Sequence, residues 1–189
     1  MKESEEEKFI MGKRAVIIST SPRHDSNSHA LAEAFCKGAL DAGNEAELIS
    51  LRGKKIAFCL GCFACQEKGE CVIKDDAVAI EKKVLDADVV VWATPIYYYE
   101  MSGQMKTLID RLNPLFPKDY RFRDVYLLAT AADDGESAPS RAVEGLKGWV
   151  DCFEKAQFKG YVFCGGVNDP GDIRKNEKLD EAYRMGQSI

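Results

Sequence analysis

The sequence predicts a three-layer α/β fold, a doubly wound parallel sheet with helices on both faces. Three observations carry that reading. Short apolar runs alternate with amphipathic stretches of helix length along most of the chain. The run Val89-Val90-Val91-Trp92-Ala93 has no polar alternation, as expected of a strand covered on both faces. The segments between strand candidates are long enough for the crossovers that parallel neighbours need. At 189 residues, 46% of them hydrophobic, the chain can bury one substantial core.

The first strand is Ala15 to Ile18, and Ser28 to Ala42 follows as a helix with Leu31, Ala34, Phe35 and Gly38 at helical spacing. Gly43 suits the helix stop. Glu45 to Ser50 is the second strand. The cysteine-rich segment Cys59 to Cys71 then interrupts the pattern as an irregular loop. Asp75 or Asp76 caps the next helix, whose inner face is Ala77, Ile80, Val84 and Ala87. After the third strand, Val89 to Ala93, Ser102 is a good N-cap for a helix carrying Met105, Leu108, Ile109 and Leu112, which Asn113-Pro114 stops. Val125 to Ala129 is the fourth strand, Ser137 to Phe153 a helix with Ala142, Leu146, Trp149 and Phe153 inward, and Phe158 to Cys164 the fifth strand. Asn176 to Gly186 reads as a terminal helix. Residues 1–12 form an acidic lead-in too polar to fold alone, with Met11 an alternative start, and residues 13–189 a single domain.

A net charge of −5 leaves no basic stripe for nucleic acid or anionic lipid. No apolar run approaches the roughly 20 residues that span a bilayer, and the polar start lacks a signal-peptide core. Neither a nucleic-acid nor a membrane partner is expected, and the expected location is the cytoplasm. Of seven cysteines, four crowd into one segment while Cys36, Cys152 and Cys164 lie scattered in apolar contexts, which points to a site and not to a disulfide framework.

In doubly wound sheets ligands lie beyond the carboxyl ends of the strands, where strand order reverses. The loops after Thr20, Ala93 and Ala129 are therefore the places to search. The first is a hydroxyl-rich turn, Ser19 to Ser28, that opens a helix. Unpaired N–H groups, roughly half a positive charge at the helix start, the donors of Ser21, Ser26, Asn27 and Ser28, and the full charge of Arg23 suit a phosphate monoester. The bland alternative is that Ser26, Asn27 and Ser28 only cap the helix. Neither G-x-x-x-x-G-K-[ST] nor G-x-G-x-x-G occurs, which argues against ATP hydrolysis and dinucleotide-fold binding. The turn resembles the phosphate loop of NAD(P)H-dependent FMN reductases, commonly Gly-Ser-Pro-Arg. Thr20 stands where that glycine would be, tolerable if the turn needs no positive φ there.

The second loop, Thr94-Pro95-Ile96-Tyr97-Tyr98-Tyr99-Glu100-Met101-Ser102-Gly103-Gln104-Met105-Lys106 with Ile109-Asp110-Arg111 beyond it, resembles the FMN reductase and iron-sulfur flavoprotein pattern. The likeness spans nearly the whole chain. It implies a flavodoxin-like fold with strand order 2-1-3-4-5, FMN as cofactor and NAD(P)H as co-substrate. Pro95 would rigidify the turn, N–H groups beyond it would meet the flavin edge, and Ile96, Tyr97, Tyr98, Tyr99 and Ser102 would complete the platform; the alternative is a core-facing aromatic cluster. The third loop, with Thr130, Ala132, Asp133 and Gly135, lies where the family holds the other edge of the flavin. No catalytic side chain is required, because the flavin carries the chemistry. His29 reads as a solvated first-turn residue.

Cys59-x-x-Cys62-x-x-Cys65, five residues, then Cys71 supplies the four thiolates that an iron-sulfur cluster requires, with a spacing unlike bacterial ferredoxins or zinc ribbons. It matches the compact motif of the iron-sulfur flavoproteins, which implies a [4Fe-4S] cluster in a homodimer or homotetramer. Three other readings stay open: small buried thiols without metal, zinc, or a reactive dithiol near Lys54, Lys55 and Lys68. The implied function is electron passage from reduced nicotinamide through FMN to a quinone, flavin, nitro or azo compound, or to a redox protein such as a ferredoxin. A flavodoxin-type carrier without NAD(P)H activity, and a redox-sensing interaction protein, are the rivals.

Overall fold

The strand candidates assemble into one sheet in the computed structural model, which describes residues 12–189. The acidic lead-in up to Met11 lies outside the described residues. In chain order the elements are β1 Arg14–Ser19, α1 Asn27–Asp41, β2 Glu45–Ser50, α2 Ala64–Lys68, α3 Asp76–Leu85, β3 Val89–Tyr97, β4 Glu100–Met101, α4 Gly103–Arg111, β5 Asp124–Thr130, α5 Ser140–Val150, β6 Gln157–Cys164 and α6 Lys178–Gln187. A 3-10 turn, Asn113–Leu115, follows α4, with Pro114 inside it. The sheet order is β2-β1-β3-β5-β6, all parallel, with β4 a short antiparallel partner of β3. With that two-residue strand set aside, the parallel strands run 2-1-3-4-5.

Because side chains alternate across a strand, each strand feeds two cores. Val16, Ile18, Val90, Trp92, Val125 and Leu127 face α3, α4 and α5. Ala15, Ile17, Val89, Val91, Tyr126 and Leu128 face α1 and α6. Val89 to Ala93 are wholly buried, which is why their sequence shows no polar alternation.

On the second face α1 and α6 approach at backbone distance. A Cβ added at Gly38 would lie 2.0 Å from the Tyr183 carbonyl oxygen, and one at Gly186 would lie 2.1 Å from the Phe35 oxygen. Each helix therefore presents a glycine to the other's backbone. Gly43 ends α1 at φ 84°, a conformation in which a side chain would be strained.

Four expectations need correction. The segment 137–139 is a turn and α5 begins only at Ser140; the helix also stops at Val150, short of Phe153, which remains buried. The terminal helix starts at Lys178, not Asn176. β3 continues to Tyr97, four residues past Ala93, because β4 folds back on it. The cysteine segment is not wholly irregular, since residues 64–68 form a short helix. Among the described residues no helix is long and apolar enough to cross a membrane.

Candidate functional site

β1 and β3 are neighbours at the point where strand order reverses, so their carboxyl ends open a crevice. The Thr20 N–H donates to Ala93 O at 2.9 Å, and the Thr20 hydroxyl stands 2.9 Å from Ala93 O and from Ser102 Oγ. Ser102 Oγ accepts the Met105 N–H as the cap of α4, and its own N–H donates to Thr94 Oγ1 at 3.0 Å. One buried hydroxyl network thus ties the first loop to the second. Thr20 is absent from the positive-φ residues, so the side chain that replaces the family glycine is unstrained and bonds where glycine could not.

Ser26 is the N-cap of α1, accepting the His29 N–H and lying 3.1 Å from Ser28 Oγ. The capping reading and the anion-site reading are compatible, since one oxygen caps while the other helix-start N–H groups stay available. Ser21 Oγ accepts the Arg23 N–H, and Arg23 Nη1 donates to Asn168 O at 2.7 Å. Asn27 turns toward the last loop: its Nδ2 donates to Asp169 O, and its Oδ1 accepts the Ile173 N–H. An ion pair between Asp25 and Arg174 reinforces the same contact.

Beyond Pro95 the chain makes a two-residue hairpin, with Ile96 opposite Met101 and Tyr97 opposite Glu100. Its turn residues Tyr98 and Tyr99 have φ of 52° and 66°, the pattern of a type I′ turn that Asn and Gly normally supply. Bulky residues held there are strained, which marks functional loops more often than scaffolds. Tyr98 is 98% exposed. The Tyr99 hydroxyl donates to Asp133 Oδ2 at 3.0 Å, and Asp133 Oδ1 accepts the Gly135 N–H, so the second loop is joined to the third. That hydrogen bond to Asp133 and its charge hold the Tyr99 hydroxyl pKa above its ordinary value.

A cleft of about 270 Å³ lies among these loops, lined by Ser21, Arg23, Ser26, Asn27, Pro95, Ile96, Tyr97, Thr130 and Ala132. Ser28, Tyr98, Tyr99, Ser102, Asp133 and Gly135 do not line it; Ser28 and Ser102 are wholly buried and shape the loops from beneath. Val167, Asn168 and Pro170 line it as well, from the loop after β6. Their signal was the Gly165-Gly166 pair. A Cβ at Gly165 would lie 2.5 Å from Asp134 Cα, so only glycine lets this loop close against the third.

The four motif cysteines line a second cavity of about 470 Å³, with Leu60, Phe63, Phe116 and Trp149. Cys152 lines it too, and is exposed. Burial pushes the Cys36 and Cys164 thiols up, in keeping with structural roles. Gly61 N–H donates to Cys59 Sγ at 3.4 Å, and Asn113 Nδ2 stands 3.1 Å from Cys65 Sγ. Such donors favour thiolates and tune clusters. The donor set thus fits an iron-sulfur group chemically. Among the described residues, however, no three Cys, His, Asp or Glu side chains converge as metal ligands, so the thiols would have to draw together on binding.

The ends of this segment are stitched by side chains. Arg111, fully buried, donates through Nη1 to Ala57 O and Asp75 Oδ2, and through Nη2 to Ile73 O and Asp75 Oδ1. Asp75 also accepts the Ala57 and Ala77 N–H groups and caps α3, while Asp76 accepts the Lys55 N–H. Burial pushes the Asp75 carboxyl up, but the bonds from Arg111 and the two amides outweigh it and hold the pKa below 3.8. The sign follows: its contribution is full above the unfolded value and is lost as pH falls through the lower folded one. Acid titration followed by circular dichroism should show Asp75→Asn losing, relative to the native chain, stability at neutral pH, with the gap closing below about pH 3.8.

This cleft at a strand-order reversal, on a helix start, belongs to the flavodoxin-like class of α/β proteins. The chain belongs to the NADPH-dependent FMN reductase family, whose sequence pattern matches residues 14–166, and is accordingly an FMN-dependent oxidoreductase that uses NAD(P)H. It is 41% identical, over 93% of its length and 78% of the relative's, to an iron-sulfur flavoprotein of Archaeoglobus fulgidus. It is 38% identical to an iron-sulfur flavoprotein of Methanocaldococcus jannaschii, covering 93% of this chain and 95% of the relative. The solved NAD(P)H:quinone oxidoreductase from Methanothermobacter marburgensis superposes with a TM-score of 0.73 at 19% identity, over 94% and 96% of the two chains, a likeness of fold.

Proposed function

We propose that the protein takes electrons from NAD(P)H onto FMN held in the strand-end cleft and passes them to a quinone, flavin, nitro or azo compound, or to a redox protein. The observation that carries this is the convergence of Ser21, Arg23 and the start of α1 with Pro95–Tyr97 and Thr130–Ala132 on one cleft. FMN, when bound, supplies hydride acceptance and release of electrons singly or in pairs. The α1 N–H groups and Arg23 would hold its phosphate, and the backbone beyond Pro95 and Thr130 its ring edges. Tyr97, which lines the cleft, would cover part of the ring. The buried hydroxyls of Ser28, Thr20 and Ser102 would orient these loops from beneath.

A second reading is favoured by the four thiols around one cavity with N–H donors on two of them. In it Cys59, Cys62, Cys65 and Cys71 hold a [4Fe-4S] cluster that moves single electrons to a protein acceptor. The names of the archaeal relatives support it, and the exposed Phe58, Leu60, Phe63 and Tyr98 support assembly as a homodimer or homotetramer.

The test uses anaerobically purified full-length chain: absorption spectrum, iron and sulfide assays, light scattering, then addition of NADH or NADPH. Flavin bands that bleach with either nucleotide are expected. About four irons per chain would establish the second reading. Bound flavin that neither nucleotide reduces would leave only a carrier, and no flavin affinity at all would overturn both.

A further inference from the structure

Arg111 is a buried cation placed beside the cysteine segment, and no step of the proposed reaction uses it. It lies at the end of α4, yet four of its hydrogen bonds reach the two ends of the segment: Ala57, Ile73 and both oxygens of Asp75. With the Asp76 bond to Lys55 N–H, residues 58–72 become a loop with a closed neck. A guanidinium has five N–H groups. The fifth, on Nε, is buried and has no partner among the described residues. Arg111 and Cys71 line the same cavity, and Cys71 lies two residues before Ile73, whose carbonyl Arg111 Nη2 binds, so this charge sits at the Cys71 end of the segment. An unpaired buried donor is costly unless a ligand or a charged group satisfies it.

We propose that Arg111 is the positioning residue of the cysteine site: it clamps the loop neck and offers its spare N–H and positive charge to the Cys71 side of a bound cluster, raising the cluster's reduction potential. The potential half rests on the cluster reading; the clamp half does not. The direction follows from charge, since a nearby cation favours the more negative, reduced state. Asp75 offsets part of that charge but is engaged by both Nη groups and two backbone amides, on the side away from Nε.

The test compares native protein with Arg111→Gln and Arg111→Lys. Hydrogen exchange on the iron-free chains reads the clamp, and spectroelectrochemical titration of chains reconstituted with iron and sulfide reads the potential. For Arg111→Gln we expect the neck amides of Ala57 and Ala77 to lose protection and the potential to fall, with the reduced state disfavoured about tenfold, about 59 mV for one electron. Arg111→Lys keeps the charge without the fork, so it should restore much of the potential but not the protection. A merely structural role would leave the potential of a loaded Arg111→Gln chain unchanged, and that result overturns the tuning claim. Native neck amides that exchange as fast as those at 60–63 overturn the clamp, a measurement that needs no variant to fold. If the native chain takes up no iron, the cluster reading and the tuning claim fall together, and exchange alone decides the clamp.

Discussion

Arg23→Ala is expected to weaken FMN binding by roughly 10- to 150-fold, because hydrogen bonds to a charged group contribute about 1.5–3 kcal/mol. Arg23 is exposed, lines the cleft, and is anchored by its bond to Asn168 O, so its loss removes a charge from the site without opening the core. Fluorescence titration of flavin-stripped protein measures the effect. Raising the ionic strength should weaken native binding more than binding by the variant, since the charge pair is screened. Arg14→Ala removes a cation that pairs with Glu45 at the start of β1, at the opposite end of the strand from Arg23 and its loop, and serves as the charge control. Equal FMN affinity in native protein and Arg23→Ala would show that helix N–H groups and hydroxyls hold the phosphate alone.

Gly38→Val should produce the largest loss of stability, about 3 kcal/mol, equivalent to a drop in Tm of roughly 6–12 °C for a chain of this size. Glycine inside a helix is intrinsically unfavourable by about 1 kcal/mol, so its presence in the middle of α1 needs a reason. The reason is the Tyr183 carbonyl oxygen 2.0 Å from where a Cβ would stand, a backbone atom that cannot rotate away. The helices would have to separate, and the second core would lose contact around Phe35, Ala39 and Ala182. Gly148→Ala in α5 meets nothing within 4 Å and should instead gain about 0.5–1 kcal/mol. Thermal melts of the two variants beside the native chain decide the matter; a Gly38→Val melt unchanged from native would mean that the helices are not locked as described.

The sheet was legible because Val89 to Ala93 and the other strand runs are apolar enough to declare their burial, and because Ser26, Asp75 and Ser102 are the side chains that cap helices. The hydroxyl-rich turn that opens α1 was legible for the same local reason. The hairpin after Pro95 was not: Tyr98 and Tyr99 hold a turn whose usual signal is Asn-Gly, so tertiary context overrides what local chemistry would announce. Asn27 could be read as a helix-start donor, but its bonds to Asp169 and Ile173 span more than 140 residues and leave no local trace. Arg111 stood in a motif as a charged residue of unassigned role, and only folding reveals that it ties together segments 36 to 54 positions away. The boundary of α5 was missed because Ser137 is as good a cap by composition as any residue, whereas the turn at 137–139 delays the helix to Ser140.

The glycine-to-backbone crossing has a mechanical consequence for the cleft. α1 is the helix whose first turn faces the cleft, and α6 is its backing plate, bonded further through Asp25 to Arg174 and Asn27 to Ile173 in the segment leading into it. A protease cut, a fused peptide or a binding partner that pries α6 loose would remove the support behind the proposed phosphate-holding turn while leaving every residue of that turn in place. Cofactor retention would then report on an event at the far end of the chain.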